Sequence, residues 1–269
     1  MFKLSKDLRL DAEALFSQAV YGHGYLHYGY WPDGSAPDVS LQALGQAQQA
    51  YFDKLIETLP AETQSILDVG SGTGSNALGL TRRGFRVDCV CPSAKLNEMA
   101  RRKLPVESQI FECRFEVCDA AGPYDLVMFC ESFHYIDAER ALAQAARLAS
   151  RHVLLFDYFP RVDGGGRAKV SHQRFMQMVR AQQAFTPVSD IDVTANIAPT
   201  FEVLDTIKNE QVRPFAARLA QDLRQQHPLL STLLTWPLRR ALSRLQRPSN
   251  RRTTFPAAFE YRLLLLARN

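Results

Sequence analysis

Two hydrophobic periods alternate along the chain. Apolar runs of strand type lie at 65–69, 85–91, 111–118, 126–130, 152–157 and 260–267. Between them apolar residues return at helical spacing, so strands alternate with helices. Leu4, Leu8, Leu10, Leu15, Phe16 and Val20 predict a helix over 4–20. Leu41, Leu44, Ala47, Tyr51, Leu55 and Ile56 predict another over 40–58, with Ser40 as its N-cap. Shorter helices follow at 75–83, closed by Gly84, at 93–103 behind Ser93, at 138–149 behind Asp137, and at 171–183. Residues 200–246 are mostly helical in pattern, with breaks at Pro214, Pro228 and Pro237. The final run, 260–267, is strongly apolar and suits an antiparallel strand inside a sheet rather than at its edge. A chain of 269 residues with this alternation forms one α/β domain.

Two stretches depart from the regular pattern. In residues 21–34 aromatics and histidines alternate with glycine, including His23, His27, Tyr28, Tyr30 and Trp31. That suits neither a regular helix nor a long strand, and predicts an ordered loop across the mouth of the sheet. In residues 66–80 an apolar strand carrying Asp68 runs into glycines at 70, 72 and 74, then into an apolar helical pattern. Such a strand–loop–helix unit offers a backbone cradle at a helix N-terminus. Glycine lets the chain turn sharply and lets a ligand approach it. A dinucleotide-binding loop would need its third glycine at Ser75, so the ligand is of another kind.

Asp68 with Gly70, Gly72 and Gly74 resembles motif I of the class I S-adenosylmethionine (SAM)-dependent methyltransferases. The resemblance covers most of the chain and is strongest over 65–136. It implies a Rossmann-like seven-stranded mixed sheet of order 3-2-1-4-5-7-6, flanked by helices. It divides one domain, 1–269, into an N-terminal cap (1–45), a SAM-binding core (46–200), a helical insert (201–256) and the last strand (257–269). Gly70, Ser71, Gly72 and Gly74 inherit the hold on the methionine part of SAM. The run from His27 to Trp31 resembles a segment that closes over the cofactor. By that likeness Tyr28 and Tyr30 touch SAM, and His23 or His27 faces substrate.

The family's second strand ends in an acid that takes both ribose hydroxyls, but the matching residue here is Cys91. A largely neutral thiol is a poor acceptor. Each hydrogen bond lost to a charged group costs about 1.5–3 kcal/mol unless another group replaces it. Ser93 is the candidate replacement, whereas Asp88 points to the opposite face of its strand. Asp119 and Ala120 take the family's adenine-binding place. Cys130 and Glu131, at the end of the fourth strand, are positioned to meet SAM. His134 is the candidate general base. Tyr135 and Tyr158 are candidate substrate contacts, and Gly164 to Gly166 form a candidate lid hinge. Residues 191–197 resemble the stretch that leads from strand six into a substrate-lining helix.

The implied reaction is methyl transfer from SAM to a small organic acceptor, aromatic, polyketide or lipid-like, by O- or C-methylation. Two alternatives stay open. One is a degenerate SAM-fold scaffold, suggested by Cys91; the other is a SAM-fold enzyme of non-methylating chemistry.

Composition narrows the partners. Five cysteines between 89 and 130 include no C-x-x-C pair, so neither a zinc site nor a disulfide framework is expected. No apolar run reaches the ~20 residues of a membrane span, and residues 1–10 lack a signal-peptide block; a cytoplasmic location is the expectation. Net charge is +4, yet residues 223–259 carry seven arginines and no acid. The basic amphipathic stretch over 236–247 could meet an anionic membrane or an acidic carrier protein, or could be a solvated face over a leucine stripe. Nucleic acid is not expected as a partner. Nothing in the pattern speaks to oligomeric state.

Overall fold

The computed structural model describes residues 24–36, 38–164, 170–226 and 247–269. The helix expected over 4–20, His23, the glycines at 165 and 166, and the basic segment over 236–246 lie outside the described residues. Seven strands form one sheet: β1 (Ser65–Val69), β2 (Arg86–Val90), β3 (Ile110–Phe111), β4 (Tyr124–Cys130), β5 (Ala149–Pro160), β6 (Phe185–Asp192) and β7 (Phe259–Arg268). Their order is β3-β2-β1-β4-β5-β7-β6, as the resemblance implied. β7 lies inside the sheet and runs antiparallel to both β5 and β6, while the other pairs are parallel.

Side chains alternate between two buried faces, as strand geometry demands. One face carries Leu67, Val69, Val127, Phe129, Val153 and Leu155 against helices α4 (Ala138–Leu148) and α5 (His172–Gln182). The other carries Ile66, Val87, Leu126, Met128, Leu154 and Phe156. It is covered by α1 (Leu41–Thr58), α2 (Ser75–Thr81) and α6 (Thr194–Thr206). Ser40 caps α1 by accepting from the Ala43 N–H at 3.1 Å. Ser93 caps α3 (Ala94–Arg101) and Asp137 caps α4 in the same way. From α1, Tyr51 stacks on Phe156 at 3.8 Å and donates to the Phe156 carbonyl at 2.8 Å, which fixes the helix over the sheet.

Two expectations are corrected. The third strand ends at Phe111 rather than Cys118, because Phe115–Val117 coils into a 3-10 turn. Pro214 does not end the helical run; it stands at the start of α7 (Arg213–Gln226), directly after Arg213, whose N–H donates to the Lys208 carbonyl. α6 instead passes into α7 through a wide π-type turn, Ile207–Val212. No helix among the described residues is long and apolar enough to cross a membrane.

Candidate functional site

A cavity of about 1300 Å³ opens at the C-terminal ends of β1, β2 and β4, where parallel α/β sheets gather ligands. Its floor is the turn after β1. Gly70, Gly72 and Gly74 all adopt positive φ, at 75°, 56° and 74°. At Gly70 a Cβ would stand 2.3 Å from the Ser132 Cβ, so only glycine lets the turn close against the β4 end. Ser132 ties that junction by donating to the Val69 carbonyl at 2.5 Å. Asp68 lies beneath the turn, 2% exposed, and its Oδ2 has no hydrogen-bond partner among the described residues. Burial pushes its carboxyl up to about 7. Asp68 does not itself line the cavity, but a buried acid beside a glycine cradle, with no ion pair among the described residues, suits a ligand that brings positive charge.

Where the resemblance places the nucleoside, the residues depart from the family pattern. Cys91 lines the cavity, 4% exposed, beside Ser93 and Leu96. The Ser93 hydroxyl accepts from the Leu96 N–H at 3.4 Å, which leaves its own proton to donate. The adenine assignment needs correction. β2 pairs β3 through Cys89↔Ile110 and Val90↔Phe111, and the Cys91 N–H donates to the Phe111 carbonyl at 3.1 Å. Cys113 and Arg114 therefore stand just past the level of Cys91 and line the cavity. Asp119 is exposed, beyond the 3-10 turn, and neither it nor the buried Ala120 lines the cavity. Sequence reasoning missed Cys113 and Arg114 because it let the strand run seven residues too far.

Residues 24–36 lie across the mouth as an ordered strap. Gln48 Nε2 donates to the His27 carbonyl at 2.7 Å, and the Thr73 hydroxyl to the Gly24 carbonyl at 2.7 Å. The Tyr30 and Trp31 amides donate to Ala47 and Asn196 carbonyls, each at 2.8 Å. Tyr28 and His27 line the cavity, and His27 stacks on Tyr51 at 4.0 Å. Tyr30 packs against the core instead of lining the cavity, held off by its bond to α1.

The β4 end supplies the polar centre. Cys130 and Glu131 line the cavity. Glu131 has φ 53°, and its Oε1 accepts from the Tyr28 N–H and the Tyr261 hydroxyl, each at 2.7 Å. Burial, only partly offset by those two donors, pushes its carboxyl up to about 8. One turn on, the 3-10 segment Phe133–Tyr135 carries His134. His134 Nδ1 lies 2.8 Å from Asp157 Oδ1, on a strand five residue that is fully buried. Asp157 also accepts from the Phe133 N–H at 2.7 Å, the His134 N–H at 3.3 Å and the Tyr158 N–H at 2.8 Å. A carboxylate acceptor places the proton on Nδ1 and leaves Nε2, itself buried, as the basic nitrogen. His134 lines the cavity, and Nε2 has no hydrogen-bond partner among the described residues. Asp157 was not foreseen; an acid at the end of β5, next to the β4 end, was the available signal.

Beyond His134 the wall is aromatic. Tyr158 stacks on His134 at 4.3 Å, meets Phe255 edge-on at 5.7 Å, and Phe255 stacks on Phe201 at 4.2 Å. Tyr135 lines the same region and is 47% exposed at the rim. Thr200, Phe201 and Leu204 of α6 complete it, so the stretch after strand six does reach the cavity. Among the described residues no cluster of three or more His, Cys, Asp or Glu side chains could hold a metal ion.

Residues 66–152 match the methyltransferase domain family. An uncharacterised methyltransferase of Mycobacterium tuberculosis is 30% identical over 90 residues, which are 34% of this chain and 37% of that protein. The chain thus spans little more than a third of the length of that relative. An O-methyltransferase of Penicillium expansum is 27% identical over 205 residues, 68% of this chain and 73% of that one. Among solved structures, geranyl diphosphate C-methyltransferase from Streptomyces coelicolor A3(2), in complex with Mg2+, geranyl diphosphate and S-adenosyl-L-homocysteine, has a TM-score of 0.66 to this fold. It is 15% identical and covers 99% of this chain and 100% of its own.

Proposed function

We propose that this chain, which has the class I SAM-dependent methyltransferase fold and carries a methyltransferase domain over residues 66–152, moves the SAM methyl group to an acidic O–H or C–H of a small organic acceptor. The observation that carries this reading is that the positive-φ glycine turn and His134, held by Asp157, line one cavity. SAM, when bound, supplies an electrophilic methyl on a sulfonium.

Everything else is done by this chain's own side chains and amides. The turn at Gly70 to Gly74 holds the cofactor's amino-acid end through backbone groups. Asp68 and Glu131 offer negative charge to a cation, and binding favours their ionised forms. The nucleoside rests against Cys91, Ser93, Cys113 and Arg114. Tyr158, Phe201 and Phe255 flank a flat acceptor and keep water from it. His134 Nε2 takes the acceptor's proton, while Asp157 holds Nδ1–H and stabilises the imidazolium that forms. Holding two reactants at near-attack distance is the larger share of the rate gain.

Incubation with SAM carrying a trideuterated methyl and a panel of small hydroxylated aromatics tests the reading. Products heavier by one deuterated methyl group in place of hydrogen are expected. SAM binding with products of unchanged mass would mean non-methylating chemistry, and SAM binding with no product from any acceptor would favour a scaffold.

A further inference from the structure

The last helix, α8 (Arg251–Ala258), turns four residues to the cavity: Arg251, Thr254, Phe255 and Ala258. Their spacing, i, i+3, i+4 and i+7, is one continuous helix face. Phe255 extends the aromatic wall that begins at His134 and Tyr158. One turn before it on the same face stands Arg251, exposed at the mouth. The face thus leads from the histidine dyad, along rings, to a guanidinium.

Arg251 has no ion pair among the described residues, whereas its neighbour Arg252 is held by Glu202 at 2.8 Å. The helix N-terminus is already served, since the Arg252 N–H donates to Asp205 Oδ2 at 2.9 Å. Recognition of an anion here therefore falls on the guanidinium and not on the helix end. Among the described lining residues the other arginine is Arg114, which follows β3 on the nucleoside side. The acceptor half thus has one lining guanidinium, set against aromatic walls.

Resting on the methyl-transfer reading above, we propose that the acceptor is itself an acid. Its methyl-accepting hydroxyl lies beside His134, its flat body lies along the wall that Tyr158 and Phe255 form together, and its carboxylate pairs with Arg251. A planar guanidinium fork matches a carboxylate in two parallel hydrogen bonds. A neutral analogue would leave that fork without its charged partner.

The test compares 4-hydroxycinnamic acid with its carboxamide as acceptors for the full chain and for Arg251→Gln and Arg251→Lys. The natural chain should favour the acid in kcat/KM by about tenfold or more, mainly through KM. Arg251→Gln should erase most of that preference, and Arg251→Lys should keep part of it, with SAM affinity unchanged in both. Equal use of acid and amide by the natural chain would overturn the proposal. So would a preference that survives Arg251→Gln, a parallel loss of SAM affinity, which would assign the guanidinium to the cofactor, or methyl transfer to neither compound while SAM binds. Failure of SAM to bind the natural chain would instead remove the methyl-transfer reading beneath it.

Discussion

His134 and Asp157 meet through a 2.8 Å contact between Nδ1 and Oδ1, although they belong to different strand ends. Asp157 is fully buried and is held by three backbone N–H donors, from Phe133, His134 and Tyr158. The carboxylate therefore sets both the tautomer and the direction of the imidazole. Under the proposed methyl transfer, Nε2 is the nitrogen left to take the acceptor's proton.

His134→Ala should lower kcat by about 10²–10⁴-fold, the usual worth of a positioned acid–base group, with SAM affinity kept. Asp157→Asn should lower kcat as well, because an amide can present an N–H to Nδ1 and reverse the tautomer. Steady-state kinetics beside calorimetric SAM titration separates the two readouts. A His134→Ala enzyme as fast as the parent would leave the histidine with only a packing role.

Cys91→Asp should leave SAM affinity equal or tighter. A carboxylate at this cavity-lining position can accept from ribose hydroxyls, each such bond being worth about 1.5–3 kcal/mol. Clear weakening in a calorimetric titration would show that the thiol has a specific partner in the complex.

Gly70→Ala and Gly84→Ala make an informative pair. Both glycines have positive φ, 75° and 91°, so each alanine carries backbone strain of roughly 1–2 kcal/mol. At Gly84 the added methyl meets nothing within 4 Å, while at Gly70 it strikes Ser132. Thermal melts should show a larger loss for Gly70→Ala, and that variant alone should lose SAM binding. Equal melts with equal SAM affinity would contradict the close junction of β1 and β4.

Burial raises Asp68 from its ordinary 3.8 to about 7 and Glu131 from 4.5 to about 8. Between about pH 5 and 8 the folded chain then binds more protons at these groups than the unfolded chain does. Their stabilising share is complete below the unfolded values and is lost as pH rises through the folded ones. The ligand-free protein should melt lower at pH 8 than at pH 5, and Asp68→Asn should flatten part of that slope. A bound cation favours the ionised forms, so SAM should raise the melting temperature more at pH 8 than at pH 5. Melts that stay level or rise over this range would show that the two carboxyls are not buried as described.

The frame was legible in the sequence because its signals are local. Strand runs, the caps Ser40, Ser93 and Asp137, and the glycine turn each depend on neighbours a few residues away. The cavity-lining positions of Gly70, Gly72, Cys91, Glu131, His134 and Tyr158 follow from strand ends, which the pattern locates well. What escaped depends on register and on contacts between distant segments. An acid near a strand end fits the family pattern at Asp119, but the early end of β3 hands that level to Cys113 and Arg114. Tyr30 is equivalent to Tyr28 in the linear pattern, but its amide is tied to the Ala47 carbonyl and only Tyr28 lines the cavity. Asp157 reaches His134 only through sheet pairing, and Arg251 reaches the cavity only on the face of the last helix, neither of which a linear pattern records.

The central claim is that the hollow above Gly70 and Gly72 accepts a sulfonium nucleoside. Calorimetric titration of SAM into the full chain tests it most directly. One saturable site per chain is the predicted result, and no heat up to high micromolar SAM would contradict it.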